Sequence, residues 1–343
     1  MSKSKQIKLA IVGATGSVGQ ELLRVLEKRQ FPCMELRLIA SERSIGKKIA
    51  FGKNQIAVQA LSEQAFDGMD IAIFSAGSKV SREWAPVCIK HGLKVIDNSS
   101  AFRMDANVPL IIPEINAHAL KEEHSLIASP NCSTTIMLMA IAPLHKRFKI
   151  MRVVAATYQA ASGAGRSAMK ELEEETLAHL ENRPYVRTVM PHPYAFNLFP
   201  HNSPLDPSGY VDEELKMLHE TRKILEDDQI SIHATCVRVP VLRAHSEALN
   251  VTFSQPVSVE EVYDLLKNAP GIKIFEDRTK NRFPMPSDAS DQDDVFCGRI
   301  RKDFSFPNTV DLWVVGDQLL KGAALNAVQI AELILRNKCA YSI

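Results

Sequence analysis

Residues 6–19, QIKLAIVGATGSVG, constrain what this 343-residue chain can fold into more than any other stretch. QIKLAIV is apolar and β-branched enough for a buried strand. GATGSVG follows with Gly13, Gly16 and Gly19, and QELLRVLEKRQF then spaces Leu22, Leu23, Val25 and Leu26 for one helix face. Strand, glycine turn and helix in that order form the entry to a dinucleotide-binding βαβ unit. Glycines let backbone approach a pyrophosphate, and the helix N-terminus offers it free N–H groups and a positive dipole end. The spacing is G-x-x-G-x-x-G, a variant of G-x-G-x-x-G, with Gly13, Gly16 and Gly19 as the turn glycines. The glycines alone also suit an ordinary tight turn; the strand and helix around them favour the nucleotide.

Further strand-like runs, MELRLIAS, DIAIFSAG, LKVIDNSS and SLIASP, alternate with helical segments such as SREWAPVCIKHG. That beat predicts an α/β domain with a Rossmann-type, doubly wound parallel sheet over residues 1–131. SAGS, NSSAFR and PNC all fall at strand ends, where such sheets bind ligands. The second strand ends at SERSIGKK. An acid there suits the ribose 2′-OH of NAD, whereas hydroxyls and a cation suit the 2′-phosphate of NADP. Ser41, Arg43 and Ser44 favour NADP, although Glu42 equally fits a solvated charged turn.

From about residue 150 the texture changes. KIMRVVAATYQAAS, ISIHATCVRVPV, EALNVTFSQP, DVFCGRIRKDF and TVDLWVVG read as strands broken by helices without a βαβ beat. This predicts an α+β domain over 132–317 with a mixed or antiparallel sheet. Residues 184–207 are Pro-rich and irregular, and His192 and His201 within them read as loop packing. The C-terminal helix, about 318–343, is expected to pack back on the first domain. DASDQDD lacks the glycine and distal Glu of a calcium loop, so no metal site is expected.

Net charge is +1, which removes any electrostatic case for nucleic acid. No apolar run reaches the ~20 residues of a membrane span, and no signal-peptide pattern follows the N-terminus. The six cysteines, Cys33, Cys88, Cys132, Cys236, Cys297 and Cys339, show no C-x-x-C or metal spacing. Free thiols in a reducing, cytoplasmic setting are expected. Cys132 is singled out by position, between the strand end SLIASPN and the wholly apolar helix STTIMLMAIAPLH. A helix N-terminus lowers a thiol's pKa and makes a nucleophilic thiolate, but that stretch alone favours an inert structural cysteine.

The segments GATGSVG, DNSSAFRMD, PNCSTT, YQAASGAG, EELKM, ETRKIL, ATCVRVPV, AHSEAL and KGAALNAVQIAE, in this order, resemble the aspartate-semialdehyde dehydrogenase family over nearly the whole chain. The resemblance implies NADP-dependent interconversion of aspartyl phosphate and aspartate semialdehyde plus phosphate, in a homodimer built through the second domain. It implies Cys132 as nucleophile, His245 as general acid/base and Gln159 as the residue orienting the substrate. Arg238 corresponds to the partner of the substrate α-carboxylate, Glu213 to that of its ammonium, and Asn131 to a further substrate contact. Arg103 and Lys216 correspond to the phosphate site. On the cofactor side the resemblance implies Thr15, Gly16, Ser17 and Val18 at the pyrophosphate, Arg43 and Ser44 at the 2′-phosphate, and Ser162 and Gly163 near the nicotinamide, together with Gln318, where asparagine is common. Another departure is Ile136, where relatives often carry glutamine.

Glu213 and Lys216 are three apart on a predicted helix and share a face, as charges serving a zwitterion and an anion must. A Glu-x-x-Lys pair is also the usual form of a solvated ion pair. Other acyl-phosphate reductases, N-acetyl-γ-glutamyl-phosphate reductase or glyceraldehyde-3-phosphate dehydrogenase, share a Cys/His pair. Glu213 argues against them, because a free amine needs a carboxylate partner. A catalytically inactive NADP-binding redox sensor would need the thiol without Gln159, Arg238 and His245.

Overall fold

The computed structural model describes residues 6–340, with side chains through residue 336. The chain divides into two compact units, Met1–Asn131 with Ala323–Ile343, and Cys132–Gly322.

In the first unit the strands are β1 (Ile7–Val12), β2 (Cys33–Ala40), β3 (Lys48–Phe51), β4 (Asn54–Ala60), β5 (Ile71–Phe74), β6 (Lys94–Asp97) and β7 (Leu126–Ala128). Their spatial order is β3-β4-β2-β1-β5-β6-β7, parallel except for the β3–β4 pair. Strands β1 and β5 are buried along nearly their whole length, as strands covered on both faces must be. The helices are α1 (Ser17–Lys28), α2 (Ser78–Lys90) and the single turn α3 (Pro113–Asn116). An antiparallel ribbon, β3–β4, follows β2 where a regular βαβ beat would place a helix. Phe51 pairs with Asn54, so Gly52-Lys53 makes a tight turn with Gly52 at φ 58°.

From β1 the chain passes to β2 on one side, and β5 lies on the other. This places a topological switch point at the carboxyl end of β1. The glycine turn occupies it. Gly13 has φ +93°, and a Cβ there would collide with the carbonyl oxygen of Ser75 just beyond β5. A Cβ on Gly19 would collide with Gly13 O and meet Ala14 Cα at 2.7 Å, so α1 can approach β1 only without a side chain there.

The second unit carries β8 (Ile150–Gln159), β9 (Phe199–Pro200), β10 (Ser231–Arg238), β11 (His245–Phe253), β12 (Ile272–Ile274), β13 (Val295–Lys302) and β14 (Thr309–Gly316). The order is β12-β13-β14-β11-β8-β10-β9, with β8–β10 and β12–β13 parallel and the other pairs antiparallel, so the sheet is mixed. Its helices are α4 (Cys132–Phe148), α5 (Arg166–Leu180), α6 (Asp212–Leu225), α7 (Val259–Lys267) and the short α8 (Pro286–Ala289). Helix α4 packs on β8, β11, β13 and β14 and on α6 and α7. It is apolar all round because it is covered all round.

The second unit runs to Gly322 and not to 317, because the segment after β14 is bonded into it: Asp317 pairs with Arg243 at 2.7 Å and Gln318 accepts the Ala244 N–H at 3.0 Å. A π-helical turn, Leu320–Ala324, precedes α9 (Leu325–Ala340), so the last helix starts later than residue 318. Helix α9 packs on α1, α3 and β6, with a paired Arg29–Glu332 contact at 2.7 Å.

Gly13→Ala is expected to lower unfolding free energy by about 1–3 kcal/mol, from the left-handed φ together with the Ser75 clash. Urea titration of the two proteins checks this; equal midpoints would remove the close approach at the switch point.

Candidate active site

The first unit presents a nucleotide-binding turn. Gly16 caps α1 with no side-chain hydrogen bond, leaving the first-turn N–H groups to a ligand. A Cβ on Gly16 would have only Gly13 O nearby, at 3.4 Å, so this side of the turn is open. These are the features a pyrophosphate requires, and the turn fits a dinucleotide. Beyond β2, a 3₁₀ turn Glu42–Ser44 leaves Ser41 and Arg43 exposed. Ser44 is turned inward, and its hydroxyl lies 3.5 Å from Thr15 Oγ1, bracing the glycine turn. At the end of β6, Asp97 is buried and accepts from Ser81 and Ser99. That fixes the DNSSAFR loop, in which Arg103 is buried and donates to the carbonyls of Ser129 and Asn98, each at 2.9 Å. Asn131, also buried, closes this unit.

Cys132 is the first residue of α4 and is only partly buried. A Cβ on Gly322, in the π-helical turn, would stand 2.8 Å from Cys132 Cβ. The glycine thus lets that turn lie directly on the cysteine, and π-turns recur at such sites. Burial raises the pKa of four other cysteines. It pushes Cys33 up to about 11 and Cys88 and Cys297 up to about 12, and it raises Cys236 further. Those four stay protonated at neutral pH; the side chain of Cys339 lies outside the described residues.

A transverse row across the second sheet gathers the remaining polar groups of this unit. Arg238 pairs in register with Gln159, Ser246 pairs with Tyr158, bringing His245 level with Gln159, and His245 pairs with Gly316. All three side chains are buried. Gln159 Nε2 donates to Ser133 Oγ at 3.0 Å and to Glu213 Oε1 at 3.1 Å. Glu213, buried on α6, also receives Lys216 Nζ at 3.3 Å, so this pair forms an ion pair at the site and not on a solvated face. The backbone of Ala160 serves both neighbours: its N–H donates to His245 Nδ1 at 3.0 Å, and its carbonyl accepts from Arg238 Nη1 at 2.8 Å. A Cβ on Gly163 would meet His245 Nε2 at 3.0 Å and Arg238 Nη1 at 3.1 Å, so glycine is needed where the two converge.

Because Nδ1 of His245 accepts a backbone N–H, the neutral ring carries its proton on Nε2, which has no partner among the described residues. Burial, and then the Arg238 guanidinium, lower this histidine's pKa to about 3. Gln318 uses Oε1 on Ala244 N–H and Nε2 on Ser162 Oγ, tying both sides of the histidine's strand entry together.

The two halves match separate family models: residues 8–123 match "Semialdehyde dehydrogenase, NAD binding domain" and residues 141–321 match "Semialdehyde dehydrogenase, dimerisation domain". The aspartate-semialdehyde dehydrogenase of Synechocystis sp. is 53% identical, covering 96% of this chain and 97% of its own. That of Bacillus subtilis is 45% identical over 95% of this chain and 96% of its own. The chain belongs to the aspartate-semialdehyde dehydrogenase family. Among solved structures, the Vibrio cholerae aspartate semialdehyde dehydrogenase II complexed with ASA superposes with a TM-score of 0.95 at 42% identity, covering 97% of this chain and 99% of that one. Membership makes the chain an NAD(P)-dependent oxidoreductase. Among the described residues no helix is long and apolar enough to cross a membrane, and no three His, Cys, Asp or Glu cluster as metal ligands.

Three further polar residues stand out in the structure. His201, read from sequence as loop packing, contacts Arg238 at 2.9 Å. Both amide atoms of Asn98, at the end of β6, are buried without a partner among the described residues. Glu247 follows His245 by two on the same face of β11, fully buried, with neither carboxyl oxygen bonded among the described residues. Only Glu247 had a legible signal, its period-two spacing from His245.

Burial raises the Glu247 pKa well above the ordinary carboxyl range, so the folded protein holds it protonated. Its contribution to stability is intact below the unfolded carboxyl pKa and is lost as pH rises toward the folded one. Glu247→Gln, which keeps the shape and removes the titration, is therefore expected to gain stability over wild type from pH 5 to pH 8, by up to about 1.4 kcal/mol per pH unit. Parallel urea titrations across that range check the sign; a constant difference would mean the carboxyl is ionised when folded.

Proposed function

We propose that the protein interconverts L-aspartyl-4-phosphate with L-aspartate 4-semialdehyde plus phosphate, using NADP. The observation that carries this reading is the buried row of Gln159, Arg238 and His245, with Glu213 bonded to Gln159 and to Lys216. It offers a carboxylate for a free ammonium, a guanidinium fork for an α-carboxylate and a neutral imidazole N–H for a carbonyl oxygen. An acetylated amine has no use for Glu213.

In the oxidative direction the Cys132 thiolate adds to the aldehyde carbon, giving a thiohemiacetal oxyanion that accepts a hydrogen bond and collapses to C=O as hydride leaves. His245 presents its Nε2–H to that oxygen as a hydrogen-bond donor, since Nδ1 is held by the Ala160 N–H. Bound nicotinamide supplies the hydride acceptor. Loss of hydride leaves a Cys132 thioester, phosphate oxygen attacks its carbonyl, and the C–S bond breaks to release aspartyl phosphate and free thiolate. Arg103 and Lys216 hold the phosphate, and Asn131 assists the substrate. On the nucleotide, Gly13, Thr15, Gly16, Ser17 and Val18 embrace the pyrophosphate. Ser41 and Arg43 meet the 2′-phosphate, with Ser44 bracing the turn. Ser162, Gly163 and Gln318 shape the nicotinamide end. The biosynthetic direction is the reverse, feeding the aspartate pathway to lysine and diaminopimelate, methionine and threonine. The dimerisation-domain match supports a homodimer through the second unit.

Purified protein is expected to reduce NADP⁺ only when aspartate semialdehyde and phosphate are both present. Cys132→Ala is expected to cut turnover by about 10³-fold or more while NADP binding, followed by fluorescence titration, stays near wild type. Activity with N-acetylglutamate semialdehyde and none with the free amine would reject this reading. Arg43→Ala is expected to lower kcat/KM for NADP by roughly tenfold and leave that for NAD unchanged, from loss of a charge-assisted phosphate contact. Equal efficiency with both nucleotides in wild type, unaltered in the variant, would remove Arg43 from the cofactor site.

A further inference from the structure

Arg238 Nη2 lies 2.9 Å from Nε2 of His201, and Nδ1 of His201 lies 3.2 Å from Ser203 Oγ. A guanidinium has no acceptor and stays protonated in proteins. The contact therefore requires a lone pair on His201 Nε2, which puts the ring proton on Nδ1, facing Ser203. The backbone around His201 is fixed as well. Strand β9 pairs antiparallel with the end of β10, Arg238 against Phe199, and the His201 N–H donates to Cys236 O at 2.8 Å.

We propose that His201, as a neutral imidazole, is a positioning residue that braces Arg238 for the substrate α-carboxylate. This rests on the reading of Arg238 given above. Arg238 is buried, its Nη1 is anchored on Ala160 O at 2.8 Å, and its Nε has no partner among the described residues. One anchor lets a guanidinium pivot; two fix its plane, which is what a bidentate carboxylate contact needs. Each terminal nitrogen keeps a second N–H for the substrate after its anchor is made.

The brace is sensitive to acid. The charged and titratable groups facing His201 are Arg238 on β10, Glu213, Glu214 and Lys216 on α6, and His245 on β11. Burial, the largest influence, and Arg238 and Lys216 disfavour the imidazolium; Glu213 and Glu214 oppose them; the net direction is below the ordinary value. Protonation removes the acceptor and sets two cations against each other at the contact distance. The KM for aspartate semialdehyde is therefore flat at neutral pH and rises as pH falls through the lowered histidine range.

The test uses the full-length protein with aspartate semialdehyde and with 3-aminopropanal, the same aldehyde lacking the α-carboxylate. His201→Ala is expected to raise KM for aspartate semialdehyde on the order of tenfold, as for a lost charge-assisted hydrogen bond, with kcat little changed. The KM for 3-aminopropanal is expected to stay at the wild-type value. His201→Gln, which keeps a neutral acceptor, is expected to restore KM and abolish its rise at low pH. An unchanged KM in His201→Ala, an equal rise for both aldehydes, or an acid limb persisting in His201→Gln overturns the brace. Independently of turnover, ring ¹⁵N shifts of wild-type His201 at neutral pH are expected to show Nδ1–H and bare Nε2; the opposite tautomer overturns the proposal too. A wild type inactive on aspartate semialdehyde with those shifts in place would instead reject the reading of function.

Discussion

The second unit is organised by how closely α4 lies against the sheet. Two glycines permit it. A side chain on Gly316 would press on Ile136 Cγ1 at 2.9 Å, and one on Gly322 would press on Cys132. With both absent, the first turn of α4 carries Cys132 against the π-turn, Ser133 onto Gln159 and Ile136 onto the strand end opposite His245. Ile136, the departure from the family's common glutamine, is fully buried there and fills the space over Gly316. It supplies packing and no polar group, so any hydrogen bond a glutamine would make is replaced by apolar contact.

Burial also sorts the ionisable groups. The same desolvation that keeps four cysteines as thiols keeps His245 neutral and Glu247 protonated. Glu213 accepts from Gln159 on one oxygen and from Lys216 on the other. Arg238 is held by a backbone carbonyl and a histidine and, among the described residues, by no carboxylate. The row thus contains a guanidinium whose charge is not cancelled by a direct ion pair, the condition under which a substrate anion gains most from it.

Much of this was legible in the chain. The βαβ entry, the change of texture near residue 150 and the position of Cys132 at a helix start follow from periodicity and glycine placement. What escaped has specific causes. The β3–β4 ribbon is short and follows a charged turn, so it carries no strong period. The π-turn looks like ordinary helix in KGAAL. His201 and Ser44 differ from surface residues only through partners distant in sequence, Arg238 and Thr15. Gln318 is anchored by Ala244 and Ser162, at both ends of its amide, contacts that no local pattern encodes.

By itself the sequence determined the main strands and helices, where backbone must pass without a side chain at Gly13 and Gly19, and, through resemblance, the reaction family. These are local consequences of φ, periodicity and residue type. Only the tertiary structure decided the state of each polar group: the tautomers of His245 and His201, the protonation of Glu247, the inward turn of Ser44. Those depend on desolvation and on single hydrogen bonds between strands up to 85 residues apart, as between Ala160 and His245, which no local pattern encodes.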